Sequence, residues 1–139
     1  MKDLYPLGLL LHRASSALSK AFNAAFIEAG IDLPHSQYIV LRAIYEKDGQ
    51  SQWELSNMLK KDAAAIKRTV DNLEQKGLVE RKTVRTLKNA VHITDKGRAL
   101  MPRVLDIAQA ITLKAYGNLP EDKREKVLRA LDSIYTNLQ

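Results

Sequence analysis

The sequence predicts a mainly α-helical chain with one small β-hairpin, a middle lobe set between longer helices. Three observations predict it. Apolar residues recur at helical spacing through both ends of the chain. Two short helices stand in succession in the middle, opened by capping residues at Ser51 and Asp62. After Gly77 the pattern changes to β-branched alternation, and it returns to helical at Asp95.

The first helix is read from Leu7 to Ala29. Leu11, Leu18, Phe22 and Phe26 share one face, and Gly30 supplies a stop. Leu33-Pro34-His35-Ser36 opens the second helix, with proline near the first turn. Tyr38, Leu41, Ile44 and Tyr45 form its apolar stripe, and Asp48-Gly49 ends it. Ser51-Gln52-Trp53-Glu54 is a capping-box pattern: the Ser hydroxyl accepts from the backbone three residues on, and Glu54 reaches back. The third helix therefore starts sharply at Gln52 and ends at about Lys60. Trp53 is read as core or pocket wall. Asp62 caps the fourth helix, Ile66, Val70 and Leu73 turn inward, and Gly77 ends it.

Leu78–Val84 and Ala90–Thr94 then read as two strands around a basic tip, Arg85-Thr86-Leu87-Lys88-Asn89. A fifth helix runs from Asp95 to about Asn118, with Pro102 expected to bend or strain it. A sixth runs from Pro120 to the end. The middle block, residues 33–94, thus has the winged-helix layout of three helices and a two-stranded wing. Residues 1–32 and 95–139 form an all-helical layer, in one integrated domain with that lobe.

Composition excludes several functions. At 139 residues and 45% hydrophobic, the chain supports one domain with a real core. The absence of cysteine removes thiolate zinc sites, iron–sulfur clusters, disulfides and cysteine nucleophiles. His12, His35 and His92 are scattered, and no two share an i, i+4 helical spacing, so no metal or cofactor is expected. No nucleophile–base pair or phosphate loop is visible, so no enzyme is expected. The apolar stretch LGLLL is too short for a signal-peptide core or a membrane span, and the chain reads as cytoplasmic.

Charge is the positive clue. Lys and Arg total 22 against 16 Asp and Glu, a formal charge of +6. Between Lys60 and Arg103 there are twelve cations against five acids, so this segment holds the whole excess. Such localisation fits phosphate binding, and double-stranded DNA is the expected partner.

The stretch DAAAIKRTVDNLEQKG at residues 62–77 carries the next inference. In a helix-turn-helix the second helix enters the major groove with its N-terminus leading. Small residues there permit close approach, and their methyl groups can meet thymine methyls. Ala63, Ala64 and Ala65 suit that role. Arg68 has the two-pronged donor that matches a guanine edge. Lys67 takes a phosphate, or else merely pairs with Asp71 at i, i+4. Ser51, Gln52, Lys61 and Asp62 at the two helix starts, and Lys82 in the wing, complete the candidate DNA-binding set. Arg85 and Lys88 bracket the wing tip. There they either place a cation in the minor groove or keep the edge from pairing.

The run SQWELSNMLKKDAAAIKRTVDNLEQKGLVER, followed by HITDKGRAL, resembles the MarR family of winged-helix transcription regulators. Val70 to Arg81 and Thr94-Asp95-Lys96-Gly97 match the family pattern without a gap, and weaker likeness covers nearly the whole chain. The resemblance implies a homodimer built by the first, fifth and sixth helices. It implies recognition helices in successive major grooves of a pseudo-palindromic operator, and repression released in many members by a small, often aromatic anion. Its implied pocket lies between the dimer layer and the DNA-binding lobe, with His12, Tyr38 and Arg42 as candidates. The wing departs from the pattern: Thr83-Val84-Arg85-Thr86-Leu87-Lys88 lacks the usual aspartate. The alternative function is a nonspecific architectural DNA binder, with the same basic face and little sequence preference.

Overall fold

In the computed structural model, which describes residues 5–84 and 87–139, the chain begins with α1 (Tyr5–Glu28) and α2 (His35–Glu46). It continues through β1 (Gln50–Ser51), α3 (Gln52–Leu59), α4 (Ala63–Gln75), β2 (Val79–Val84) and β3 (Leu87–Ile93). It ends with α5 (Asp95–Tyr116) and α6 (Glu121–Asn137). The mainly helical architecture with a small antiparallel wing is the one expected.

Local chemistry explains the helix starts. Ser51 and Glu54 form the reciprocal capping box: the Glu54 N–H donates to Ser51 Oγ at 3.0 Å, and the Ser51 N–H donates to Glu54 Oε1 at 3.2 Å. The Ala65 N–H donates to Asp62 Oδ1 at 2.7 Å, which closes the start of α4. Each cap satisfies backbone donors that would otherwise lack partners.

The core sits where α2, α3, α4 and the sheet converge. Leu41, Ile44, Leu55, Ile66, Val70, Leu73 and Val91 are completely sealed from solvent. Each large apolar side chain buried this way contributes roughly 1.5–3 kcal/mol. The second half of α1 joins this core through Phe22 and Phe26, and α5 joins through Met101, Val104 and Ala108.

Two expectations about the wing need correction. The sheet has three strands in the order β1-β3-β2, not two. Gln50 and Ser51 pair with Val91 and Ala90, and a two-residue strand carries no period by which sequence could announce it. Leu87, Lys88 and Asn89 belong to β3 rather than to the tip. As expected, Pro102 lies inside α5, which runs on through it. That ring is exposed, so the carbonyl it leaves unbonded, on Arg98, lies on the side of the helix open to water.

Gly97 locks the start of α5 against the wing. A β-carbon there would lie 2.3 Å from the Leu78 carbonyl oxygen and 2.7 Å from Ile93 Cγ1, so only glycine fits. Thr94 caps the helix by accepting from the Gly97 N–H, and its hydroxyl donates to the Gly77 carbonyl at 2.6 Å.

The last helix differs from the rest. No residue of α6 is buried, and Val127, Leu128, Leu131 and Tyr135 stand 38–55% exposed. No helix among the described residues is long and apolar enough to cross a membrane.

Candidate nucleic-acid interface

The turn between α3 and α4 is tight. Lys60 takes a left-handed conformation at φ 54°, and the Lys61 N–H returns to the Ser56 carbonyl at 3.0 Å. Only Lys60, Lys61 and Asp62 separate the two helices. Ile66, Val70 and Leu73 then pin one face of α4 to the core. The opposite face is fixed by default, since a helix rigid on one side is rigid on the other. Ala63, Ala64, Lys67 and Arg68 are exposed there, and Ala65 is half-buried. The small-residue start and the cations that follow it are therefore presented together, as expected of this stretch.

The expected cations divide into engaged and free. Lys67 Nζ lies 3.1 Å from Asp71 Oδ2, so the purely structural i, i+4 pair does form. Lys82 lies 3.1 Å from Glu80 on the exposed sheet face, a pair worth little in water. Lys60, Lys61 and Arg68 form no ion pair among the described residues. Arg85 lies outside the described residues, and so does the placement of the Lys88 side chain. The assignment of a minor-groove cation falls there.

Arg81, one of the twelve cations between Lys60 and Arg103, is turned inward and taken up by other side chains. Its side chain is only 17% exposed. One guanidinium arm reaches Asp71 Oδ1 at 2.6 Å, the other reaches Glu74 Oε1 at 2.8 Å, and Nε donates to Gln52 Oε1 at 2.7 Å. This planar fork ties β2 to both α3 and α4. The Asp71 carboxyl is held below its ordinary range, first by the bond from Lys67 and then by that from Arg81. Gln52 is consequently a strut whose oxygen is taken, and Ser51 Oγ is occupied by its cap. Both remain at the edge of the surface, but neither is free in the way a contact list from sequence suggests.

The expectation for Trp53 needs correction. It is not core; it stands 70% exposed on α3. The capping box fixes the phase of this short helix, and Leu55 takes the inward position.

The candidate pocket residues are only partly brought together. Arg42 Nη1 donates to the Tyr38 hydroxyl at 2.8 Å, and this bond is the main reason its guanidinium holds its proton more firmly than usual. Arg42 also lines a cleft of about 400 Å³ with Leu105, Ala108, Gln109, Thr112 and Leu113 of α5. His12 lies exposed, farther toward the start of α1. The histidine beside Tyr38 is His35, stacked with Phe22 at 4.4 Å and accompanied by Ser19 Oγ at 2.8 Å from Nδ1. The His35–Tyr38 spacing of one helical turn was the signal available in the sequence. Burial pushes the His35 pKa down, and the charge of Lys61 adds to this.

Comparison with known proteins gives the same picture. The model of the MarR family matches residues 33–84. An HTH-type transcriptional regulator of Bacillus subtilis, YybA, is 26% identical over 125 residues, covering 88% of this chain and 82% of YybA. A MarR-family regulator from Listeria monocytogenes, solved with a 26mer DNA, superposes with a TM-score of 0.80 at 27% identity, over 99% of this chain and 90% of that one. Bordetella bronchiseptica BpsR, whose DNA binding is regulated by 6-hydroxynicotinic acid, has a TM-score of 0.84 at 22% identity, over 96% and 94% of the two chains.

Proposed function

We propose that this chain, a member of the MarR family of winged-helix transcription regulators, is a cytoplasmic homodimeric repressor of a pseudo-palindromic operator. The observation that carries the reading is the exposed start of α4. Ala63, Ala64 and Arg68 share an open face on a helix pinned by three sealed side chains, beside Lys60 and Lys61, which form no ion pair among the described residues. Residues 33–94 read the DNA, and residues 1–32 and 95–139 hold two copies together. Two such helices would enter major grooves roughly 34–36 Å apart. The uncovered apolar stripe of α6 supports the dimer, because such a face is stable only when another surface covers it. The DNA complex of the Listeria relative supports the partner.

The cleft between Arg42 and α5 is the proposed effector site. A guanidinium at the rim and leucines along the wall suit a small aromatic or aliphatic anion. BpsR, with its regulating hydroxynicotinic acid, is a precedent on the same fold. Binding, not catalysis, is the activity.

Anisotropy titration against DNA from upstream of the chain's own gene and against a shuffled duplex, each at two salt concentrations, tests the reading. A specific regulator prefers the operator by about a thousandfold or more over unrelated sequence. Equal binding that collapses with salt would mean backbone contacts alone and an architectural protein.

A further inference from the structure

Trp53 is the only tryptophan in the chain, and the fold leaves it 70% exposed on α3. Neither the core nor the effector cleft uses it. A large aromatic ring left in water is the kind of residue that carries binding at an interface.

Its neighbours identify the partner. Helical spacing sets Asn57 on the same face, Lys60 caps the end of α3 in a left-handed conformation, and both are exposed. Lys61 follows at once in the turn, and neither lysine forms an ion pair among the described residues. The nearest acid in sequence, Glu54, is half-buried and bonded to the Ser51 N–H. The stripe thus joins one aromatic ring to cations, with no free carboxylate beside it. A protein partner would favour a contiguous apolar patch, which Asn57 and Lys60 interrupt. Gln52, the residue before the ring, is bonded to Arg81, which grips Asp71 of α4, so the start of α3 is tied to the recognition helix.

We propose that Trp53 is a DNA backbone contact that sets the recognition helix in its groove. An indole has one N–H donor and no acceptor, and a phosphate offers acceptors only. The Nε1–H donates to a phosphate oxygen on the strand bordering the groove entered by α4, while the ring face packs on the adjoining deoxyribose. Contacts of this kind fix register and carry no base preference themselves. The proposal rests on the DNA-binding reading above.

The test uses the full chain and the upstream duplex. Trp53→Ala removes donor and ring, and weakens binding about tenfold across all sequences. Trp53→Phe keeps a ring without the donor and falls between. Neither changes the slope of log affinity against log salt, whereas Lys61→Ala lowers that slope by about one. The emission of the single tryptophan changes on titration with the duplex. Unchanged affinity in Trp53→Ala, with unchanged emission while the wild-type chain still binds, would overturn the Trp53 contact and leave the regulator reading intact. Emission that shifts with protein concentration in the absence of DNA would assign the ring to a protein contact instead. Failure to bind any duplex would overturn both readings.

Discussion

In the middle lobe, Leu41, Ile44, Leu55, Ile66, Val70, Leu73 and Val91 are all sealed from water; in α6 no side chain is sealed. The contrast is not one of composition, since α6 has Val127, Leu128, Leu131, Ile134 and Tyr135 at helical spacing. It is one of coverage. The lobe packs three helices and a sheet around one centre, and each apolar face meets another from the same chain. The last helix has an apolar face that no described residue of this chain seals. A single copy therefore completes the core of its lobe but leaves the apolar face of α6 open.

The strongest way to break this comparison is at α6. In the proposed dimer, Leu131→Glu should give monomer in sedimentation while circular dichroism still reports a folded lobe. DNA affinity should fall on the order of a hundredfold or more, because the second half-site no longer binds intramolecularly. A dimer that persists would take α6 out of the interface.

A substitution in the lobe should behave differently. Leu73→Ala leaves a cavity in a finished core and should cost about 2–5 kcal/mol in a denaturant melt. Unlike the α6 variant, it should leave the protomers associated at temperatures where the chain remains folded. Loss of association in step with unfolding would mean that the two regions are one cooperative unit.

Arg68 sharpens the comparison from the surface of the lobe. Arg68→Ala should lose about 1–3 kcal/mol of discrimination at one base position in each half-site, with the melt unchanged. Uniform weakening across all sequences would assign the residue to a phosphate.

The smallest effect lies where α1 packs on the lobe. Burial among Phe22, Tyr38 and Ser19 pushes the His35 pKa below the ordinary 6.5. The unfolded chain then takes up the proton first, so stability declines as pH falls from 6.5 toward the lower folded value. His35→Gln should flatten that decline of stability below pH 6.5. An unaltered slope would show that the histidine is not its source.

What was legible in sequence was local. The Ser51 capping box, the Asp62 cap and the Ile66, Val70, Leu73 stripe are each fixed by spacings of a few residues, and each is found in place. The candidate site was legible to the same extent: the alanines and Arg68 are presented because their own helix presents them. What escaped depends on partners far along the chain. Arg81 is drawn inward by Gln52, 29 residues away, and cation counting cannot see that pull. The third strand exists because Val91 lies ready to receive Gln50. Trp53 looked like core because large aromatics usually are, and only the fold shows that the short α3 has one inward position and Leu55 occupies it.

Gly97 has a mechanical consequence. With no room for a β-carbon at Gly97 between the Leu78 carbonyl and Ile93, the first turn of α5 and the root of the wing are closely packed. The same α5 walls the cleft beside Arg42, so one helix carries both the cleft wall and the joint with the root of the wing. Enlarging that one residue would crowd the joint.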